Sequence, residues 1–187
     1  MAGLQRHASA GRLSVARDDV LAVITDGLRR LDVRVALARG SADPGRIGPL
    51  PGDWLVEPYL PQVSILERAA ALVTHAGNNS VTEAVAHAVP LLALPFSTDQ
   101  FDGAAAIEGA GIGVARDPNR LTPAQVAGAI GELIMTPNPM LQTLKFELTA
   151  RPGPQIARAA VAELSGRSPA TPDEVPPQLA LFAPVSP

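Results

Sequence analysis

"ALVTHAGNNSVTEAVAHAVPLLALPFSTDQ", residues 71–100, holds one pattern twice. A short apolar run (71–74) reads as a strand. Small and polar residues follow, and then "SVTEAVAHA" (80–88) has the composition of a helix. The next run, "PLLALP" (90–95), is apolar again and leads into the helical "DQFDGAAAIEGA" (99–110). Neither apolar run alternates with polar residues, as expected of parallel strands buried on both faces. Strand–helix alternation of this kind defines βαβ units.

The same alternation extends outward. "VRVALAR" (33–39), "WLVEPY" (54–59) and "IGVAR" (112–116) read as further strands. A helix starts at Asp18, with Val20, Val23, Ile24, Leu28 and Leu31 along one stripe. Asp18 and Asp19 suit the positive end of that helix. "PQVSILERA" (61–69) is a short helix with Pro61 in its first turn. Residues 122–135 form another, with Thr122 as cap, Pro123 in the first turn and Gln125 completing a capping box. Helical stretches over about 138–150 and 155–164 follow, separated by Pro152 and Pro154. "GSADPGRIGPLPGD" (40–53) is a loop, and "GAGIG" (109–113) reads as a helix stop plus turn.

The expected fold is therefore α/β: a Rossmann-like parallel sheet of about four or five strands with helices on both faces. Residues 1–17 show no sustained period and read as a poorly ordered segment. Residues 18–164 form the domain. Residues 165–187, rich in proline, read as a disordered tail.

Composition narrows the function. The chain of 187 residues has a net charge of −3 and no basic block, which argues against nucleic acid as partner. It has no cysteine, so disulfides, thiolate metal sites and a cysteine nucleophile are excluded. His7, His75 and His87 are too scattered for a zinc site, and no metal is expected. No apolar run reaches membrane-spanning length and the first twenty residues lack a signal-peptide core, so a cytoplasmic location and no membrane partner are expected. Aromatic residues make up 3%, which leaves an aliphatic core.

In such sheets ligands bind beyond the carboxyl ends of the strands. "HAGNNS" and "STDQ" both lie there. Ser80-Val81-Thr82-Glu83 has the spacing of a capping box, which accounts for Ser80 and Glu83 without any ligand. The same helix start, with Gly77 allowing close approach, equally suits a phosphate. Both readings stand on these residues alone. His75 is either a rim residue or a donor to a phosphate oxygen. Asp99 is one of several possible helix caps, or with Gln100 a partner for sugar hydroxyls. Trp54 and Tyr59 each either cover the core edge or stack on a base, and for Trp54 the core edge is the better reading. No Walker loop, no GxGxxG after a strand and no GxSxG elbow is present.

"YLPQVSIL" (59–66) followed by residues 71–100 resembles the donor-binding signature of the GT-B glycosyltransferases, in particular the UDP-glycosyltransferase-like family with its plant and antibiotic-modifying bacterial members. The family's pattern runs aromatic-x-P-Q, then H-x-G-x-N-S-x-x-E, then G-V-P, then P-x-x-x-D-Q. The resemblance implies the C-terminal half of a GT-B fold. It implies that Tyr59 stacks on the nucleotide base and that Gln62 contacts base or ribose. His75, Gly77, Asn79 and Ser80 cradle the diphosphate, Glu83 accepts from the ribose hydroxyls, and Asp99 and Gln100 hold the donor sugar. The implied reaction is transfer of a hexosyl group from a UDP- or TDP-type sugar to an acceptor hydroxyl, without cofactor or metal. The "PFSTDQ" pair favours a transferase over a sugar-nucleotide epimerase of the same fold.

Two departures lie inside the motif. Ala88 stands where the family has glycine before "VP", and Asn78 where plant members have tryptophan. Two more concern the whole. The first strand of the half-fold, with its phosphate-side turn, is not recognisable in residues 1–17. The family's acceptor-binding half, which supplies the catalytic base, has no counterpart here, so no catalytic residue is identified and a separate acceptor-domain chain is the expected partner. The other expectation is a truncated remnant or a stand-alone nucleotide-sugar-binding module.

Overall fold

The computed structural model describes residues 7–10, 17–150, 153 and 161–163. They belong to two compact units, Met1–Leu148 and Thr149–Pro187. In the second unit residues 153 and 161–163 are helical; the rest of the helix expected over 155–164, and the tail expected over 165–187, lie outside the described residues.

Six strands form one sheet: β1 (His7–Ala10), β2 (Arg34–Ala38), β3 (Leu55–Glu57), β4 (Ala69–Thr74), β5 (Leu91–Ala93) and β6 (Gly113–Ala115). Their order is β3-β2-β1-β4-β5-β6, and all five pairings are parallel. This is the doubly wound dinucleotide-binding order, with its topological switch between β1 and β4. The helices are α1 (Asp18–Leu28), α2 (Pro44–Ile47), α3 (Gln62–Leu66), α4 (Asn78–His87), α5 (Thr98–Gly109), α6 (Pro123–Met135) and α7 (Pro139–Ala150).

β1 corrects the sequence reading. Its four residues, "HASA", fall in the stretch expected to be poorly ordered, and they supply the first strand that the sequence did not reveal. Ala8, Ser9 and Ala10 pair with Val35, Ala36 and Leu37 on one side and with Ala71, Leu72 and Val73 on the other. A central strand draws hydrogen bonds from two neighbours, so Ala8, Ser9 and Ala10 hold their place without an apolar run of their own. The remaining residues of 1–17, apart from Arg17, lie outside the described set.

Strand periodicity divides the core between the two sheet faces. Along β4 and onward through β5, Ala71, Val73, Leu92 and Leu94 join one cluster, with Leu21 and Ile24 of α1 and Val126 and Ile130 of α6. Leu72, Leu91 and Ala93 join the other, with Ala84 of α4, Ile107 of α5 and Leu141 of α7. Every position of β5 is buried, as its unbroken apolar run requires. Trp54 lies in the first cluster, as expected of a core residue. The crossing of α1 and α6 depends on Gly27, where a Cβ would stand 2.5 Å from Val126 Cβ and 2.7 Å from the Pro123 carbonyl oxygen. The loop over 40–53 contains α2, capped by Asp43, whose carboxylate accepts from Gly45 N–H at 2.9 Å.

Candidate functional site

Because all strands run the same way, the segments after β3, β4 and β5 emerge at one edge of the sheet. Every site residue expected from the sequence lies on them. Tyr59 and Gln62 follow β3, His75 to Glu83 follow β4, and Asp99 and Gln100 follow β5. β4 borders the switch point, where doubly wound sheets open a crevice.

The turn after β4 is tightly built. Thr74 is fully buried and its hydroxyl accepts from Ala76 N–H at 3.3 Å. Ala76 takes φ +67°, the left-handed region that costs a non-glycine residue about 1–2 kcal/mol. Gly103 of α5 packs on this turn; a Cβ there would stand 2.5 Å from the Ala76 carbonyl oxygen. His75 is half-buried, and a Cβ on Gly77 would overlap its Nε2. The glycine therefore makes room first for the imidazole rather than for a ligand.

Helix α4 begins earlier than its sequence pattern suggests. Gly77 is the N-cap at φ −64°, ψ 142°, and no side chain caps the helix. The first intrahelical bond is Val81 N–H to Gly77 C=O at 3.1 Å. Ser80 thus lies inside the first turn, and the capping box expected from Ser80 and Glu83 does not form. Asn78 and Asn79 are exposed at the start of the helix. A helix start without a side-chain cap carries N–H groups and a positive partial charge suited to an anion.

Ser80 and Glu83, freed from capping, meet Gln62 instead. Its Nε2 donates to Glu83 Oε2 at 2.7 Å and to Ser80 Oγ at 3.1 Å. This link joins α3 to α4 across 21 and 18 residues of sequence, a distance no local pattern spans.

The start of α5 is closed. Ser97 is its N-cap, and Gln100 completes a capping box. Gln100 Oε1 accepts from Phe96 N–H at 2.8 Å and from Ser97 N–H at 3.3 Å, and the residue is buried. Its carbonyl oxygen is thereby committed to the backbone, so that its amide N–H groups are what it can offer a ligand. Asp99 is exposed and is not the cap; its Oδ1 accepts from Ser97 Oγ at 3.1 Å. Tyr59, in the segment after β3, is 72% exposed, so it covers no core edge.

Arg17, to which the sequence reading gave no role, ties three segments together at the same edge. Its guanidinium forks onto Asp19 at 2.9 and 2.7 Å, donates to Asn119 Oδ1 at 3.2 Å and stands 5.9 Å from the Phe96 ring centroid. The hydrogen bonds from Arg17 hold the Asp19 carboxyl down at about 2. Among the described residues no group of three or more His, Cys, Asp or Glu is placed to hold a metal ion. No helix among them is long and apolar enough to cross a membrane.

The switch point of the sheet, a helix start without a side-chain cap and polar groups on three successive segments mark a Rossmann-like α/β domain. The family model for UDP-glucoronosyl and UDP-glucosyl transferases matches residues 11–144, and the chain belongs to that family. It is 30% identical over 95 residues to the uncharacterized UDP-glucosyltransferase YdhE of Bacillus subtilis (strain 168), a match covering 50% of this chain and 24% of that protein. The glycotransferase of kitacinnamycin superposes with a TM-score of 0.76 at 28% identity, over 87% of this chain and 44% of the other. Glycosyltransferase VinC, solved with dTDP, superposes at 0.75 and 21% identity over 88% of this chain and 42% of its own. The chain thus spans less than half the length of these relatives. Its sheet is the Rossmann-like half of a GT-B glycosyltransferase fold.

Proposed function

We propose that this chain is the donor-binding half of a glycosyltransferase that passes a hexosyl group from a UDP- or TDP-type sugar to an acceptor hydroxyl, acting with a separate acceptor domain. The start of α4, free of any side-chain cap at the switch point of the sheet, carries the reading. The backbone N–H groups there and His75 stabilise the diphosphate as it leaves. Asn79 and Ser80 complete the cradle, Tyr59 stacks on the base, and Glu83, tied to Gln62, faces the ribose. Asp99 and the amide of Gln100 hold the sugar. The base that takes the acceptor's proton comes from the partner domain, and the transfer uses neither metal nor cofactor. A relative named a UDP-glucosyltransferase and another solved with dTDP support the class of donor.

The test is titration of UDP and TDP into the full chain, followed by amide chemical shifts, with the His75→Ala/Ser80→Ala variant as control. Saturable shifts at the α4 start, lost in the variant, are expected. A folded chain that responds to neither nucleotide ends the donor-binding reading. Sugar transfer by the chain alone ends the requirement for a partner.

A further inference from the structure

Gln62 points to an inference that rests on the donor-site reading and deepens it. Its amide carries two N–H donors, and both are used within the protein: one on Glu83 Oε2, the other on Ser80 Oγ. Glu83, when charged, can only accept, which fixes Nε2 rather than Oε1 as the atom facing it. The 2.7 Å separation is that of a charge-assisted bond. Ser80 and Glu83 are three residues apart on α4 and share one face. One amide on α3 therefore grips two side chains that the donor reading assigns to different parts of the nucleotide.

The chemistry of each grip leaves the outward-facing function free. With Oε2 occupied by Gln62, Glu83 retains Oε1 as an acceptor. With an oxygen lone pair occupied by Gln62, the Ser80 hydroxyl keeps its proton to donate, and accepting one hydrogen bond strengthens the other. We propose that Gln62 is a positioning residue that acts through Glu83 and Ser80, holding the carboxylate toward the nucleoside diol and the hydroxyl proton toward the diphosphate before the nucleotide arrives. It differs from a residue that itself contacts base or ribose, because its donors are spent inside the protein.

The test is a double-mutant cycle read with two probes, UDP and 2′-deoxy-UDP, whose dissociation constants are measured calorimetrically on the full chain. The wild-type chain is expected to prefer UDP by about tenfold, the worth of one hydrogen bond to a charged group. Gln62→Ala lets the carboxylate wander, and the preference is expected to fall to about threefold. Glu83→Ala abolishes it. Gln62→Ala in the Glu83→Ala background changes the preference no further, because the residue it acts through is gone. Gln62→Leu, which fills similar space between α3 and α4, is expected to behave as Gln62→Ala, so that lost packing is not the cause.

Two results would overturn the assignment. One is an unchanged preference in Gln62→Ala or Gln62→Leu, equal weakening of both probes included, which marks a purely structural link. The other is a preference that survives Glu83→Ala and is lost only when Gln62→Ala is added, which marks direct contact with the nucleoside. A wild-type chain that binds neither probe overturns the donor-site reading itself, and the positioning role with it.

Discussion

Helices α4 and α6 start at the same edge of the sheet, and both carry a hydroxyl residue followed three positions later by an acid or amide. The two motifs meet opposite fates. At α6, Thr122 is the N-cap: its hydroxyl accepts from Gln125 N–H at 3.3 Å, and Gln125 Oε1 accepts from Thr122 N–H at 2.9 Å. Pro123 occupies the first turn, where it needs no partner for a missing N–H. At α4 the chain enters through Ala76 and Gly77, the N-cap lies three residues ahead of Ser80, and neither Ser80 nor Glu83 caps anything. Their side chains project sideways to Gln62. A helix start satisfied by its own side chains has nothing left for a ligand; one without a cap does. The difference between the two ends is thus a difference between a terminus closed by its own side chains and one left open, and it is set by the residues before the motif rather than by the motif.

The strongest way to break this contrast is to alter the entry to α4. Gly77→Val places a β-branched side chain where the His75 ring lies. The ring or the turn must give way, and valine is also a poor N-cap. A loss of about 2 kcal/mol in urea denaturation is expected, with loss of detectable UDP binding. A variant that binds UDP normally would show that the turn has room to spare and that its tightness has no bearing on the ligand.

The sharpest discrimination comes from removing the two hydroxyls. Thr122→Ala deletes a working cap and is expected to cost about 1 kcal/mol while leaving UDP affinity untouched. Ser80→Ala removes a hydroxyl that caps nothing; alanine's higher helix propensity partly offsets the lost hydrogen bond from Gln62, so its stability cost is expected to stay below about 0.5 kcal/mol. Its UDP affinity is expected to fall roughly tenfold. Parallel urea melts and UDP titrations on the two variants decide it. If Ser80→Ala costs as much stability as Thr122→Ala, Ser80 is a cap in solution and the contrast disappears.

This same contrast marks the limit of what could be read from the sequence. The α6 box was legible because capping is local: cap, proline and glutamine lie within four residues. The α4 pattern looked identical, and reading it as a box failed because what decides it is the fit of His75 over Gly77 and the reach of Gln62 from another helix. Strands β4 and β5 were legible because both of their faces are buried and their runs are apolar throughout. β1 was not, since "HASA" owes its place to its two neighbours. The segments carrying the site were predictable from the rule that parallel strands expose one carboxyl edge, together with the family motif. The inward commitment of the Gln100 carbonyl and the tie made by Arg17 were not, because both depend on contacts with surrounding loops.

The far end of α4 offers a gentler version of the comparison. Both α4 and α5 end in the same motif. In α4, Val89 N–H bonds to Ala84 C=O at 2.9 Å and Ala88 N–H to Val85 C=O at 3.0 Å. In α5, Ile112 N–H bonds to Ile107 C=O at 3.1 Å and Gly111 N–H to Glu108 C=O at 2.9 Å. The residue at the left-handed position is Ala88 at φ +55° in one and Gly111 at φ +66° in the other. This explains the glycine that family members carry before "VP": the position is left-handed, and glycine adopts it without the penalty of about 1–2 kcal/mol that a side chain incurs. Against relief of that strain, glycine adds about 0.5–1 kcal/mol of unfolded-state entropy. It also removes a half-buried methyl worth a few tenths, since a fully buried one is worth about 0.8 kcal/mol. Strain relief is the larger, so Ala88→Gly is expected to stabilise the chain by about 0.5 kcal/mol. Gly111→Ala is expected to destabilise it by a similar or slightly larger amount, as nothing lies within 4 Å of the added Cβ to reward it. Opposite signs in denaturant midpoints are the expected result. Equal signs would mean that Ala88 leaves the left-handed region in solution, and that the last turn of α4 unwinds where that of α5 does not.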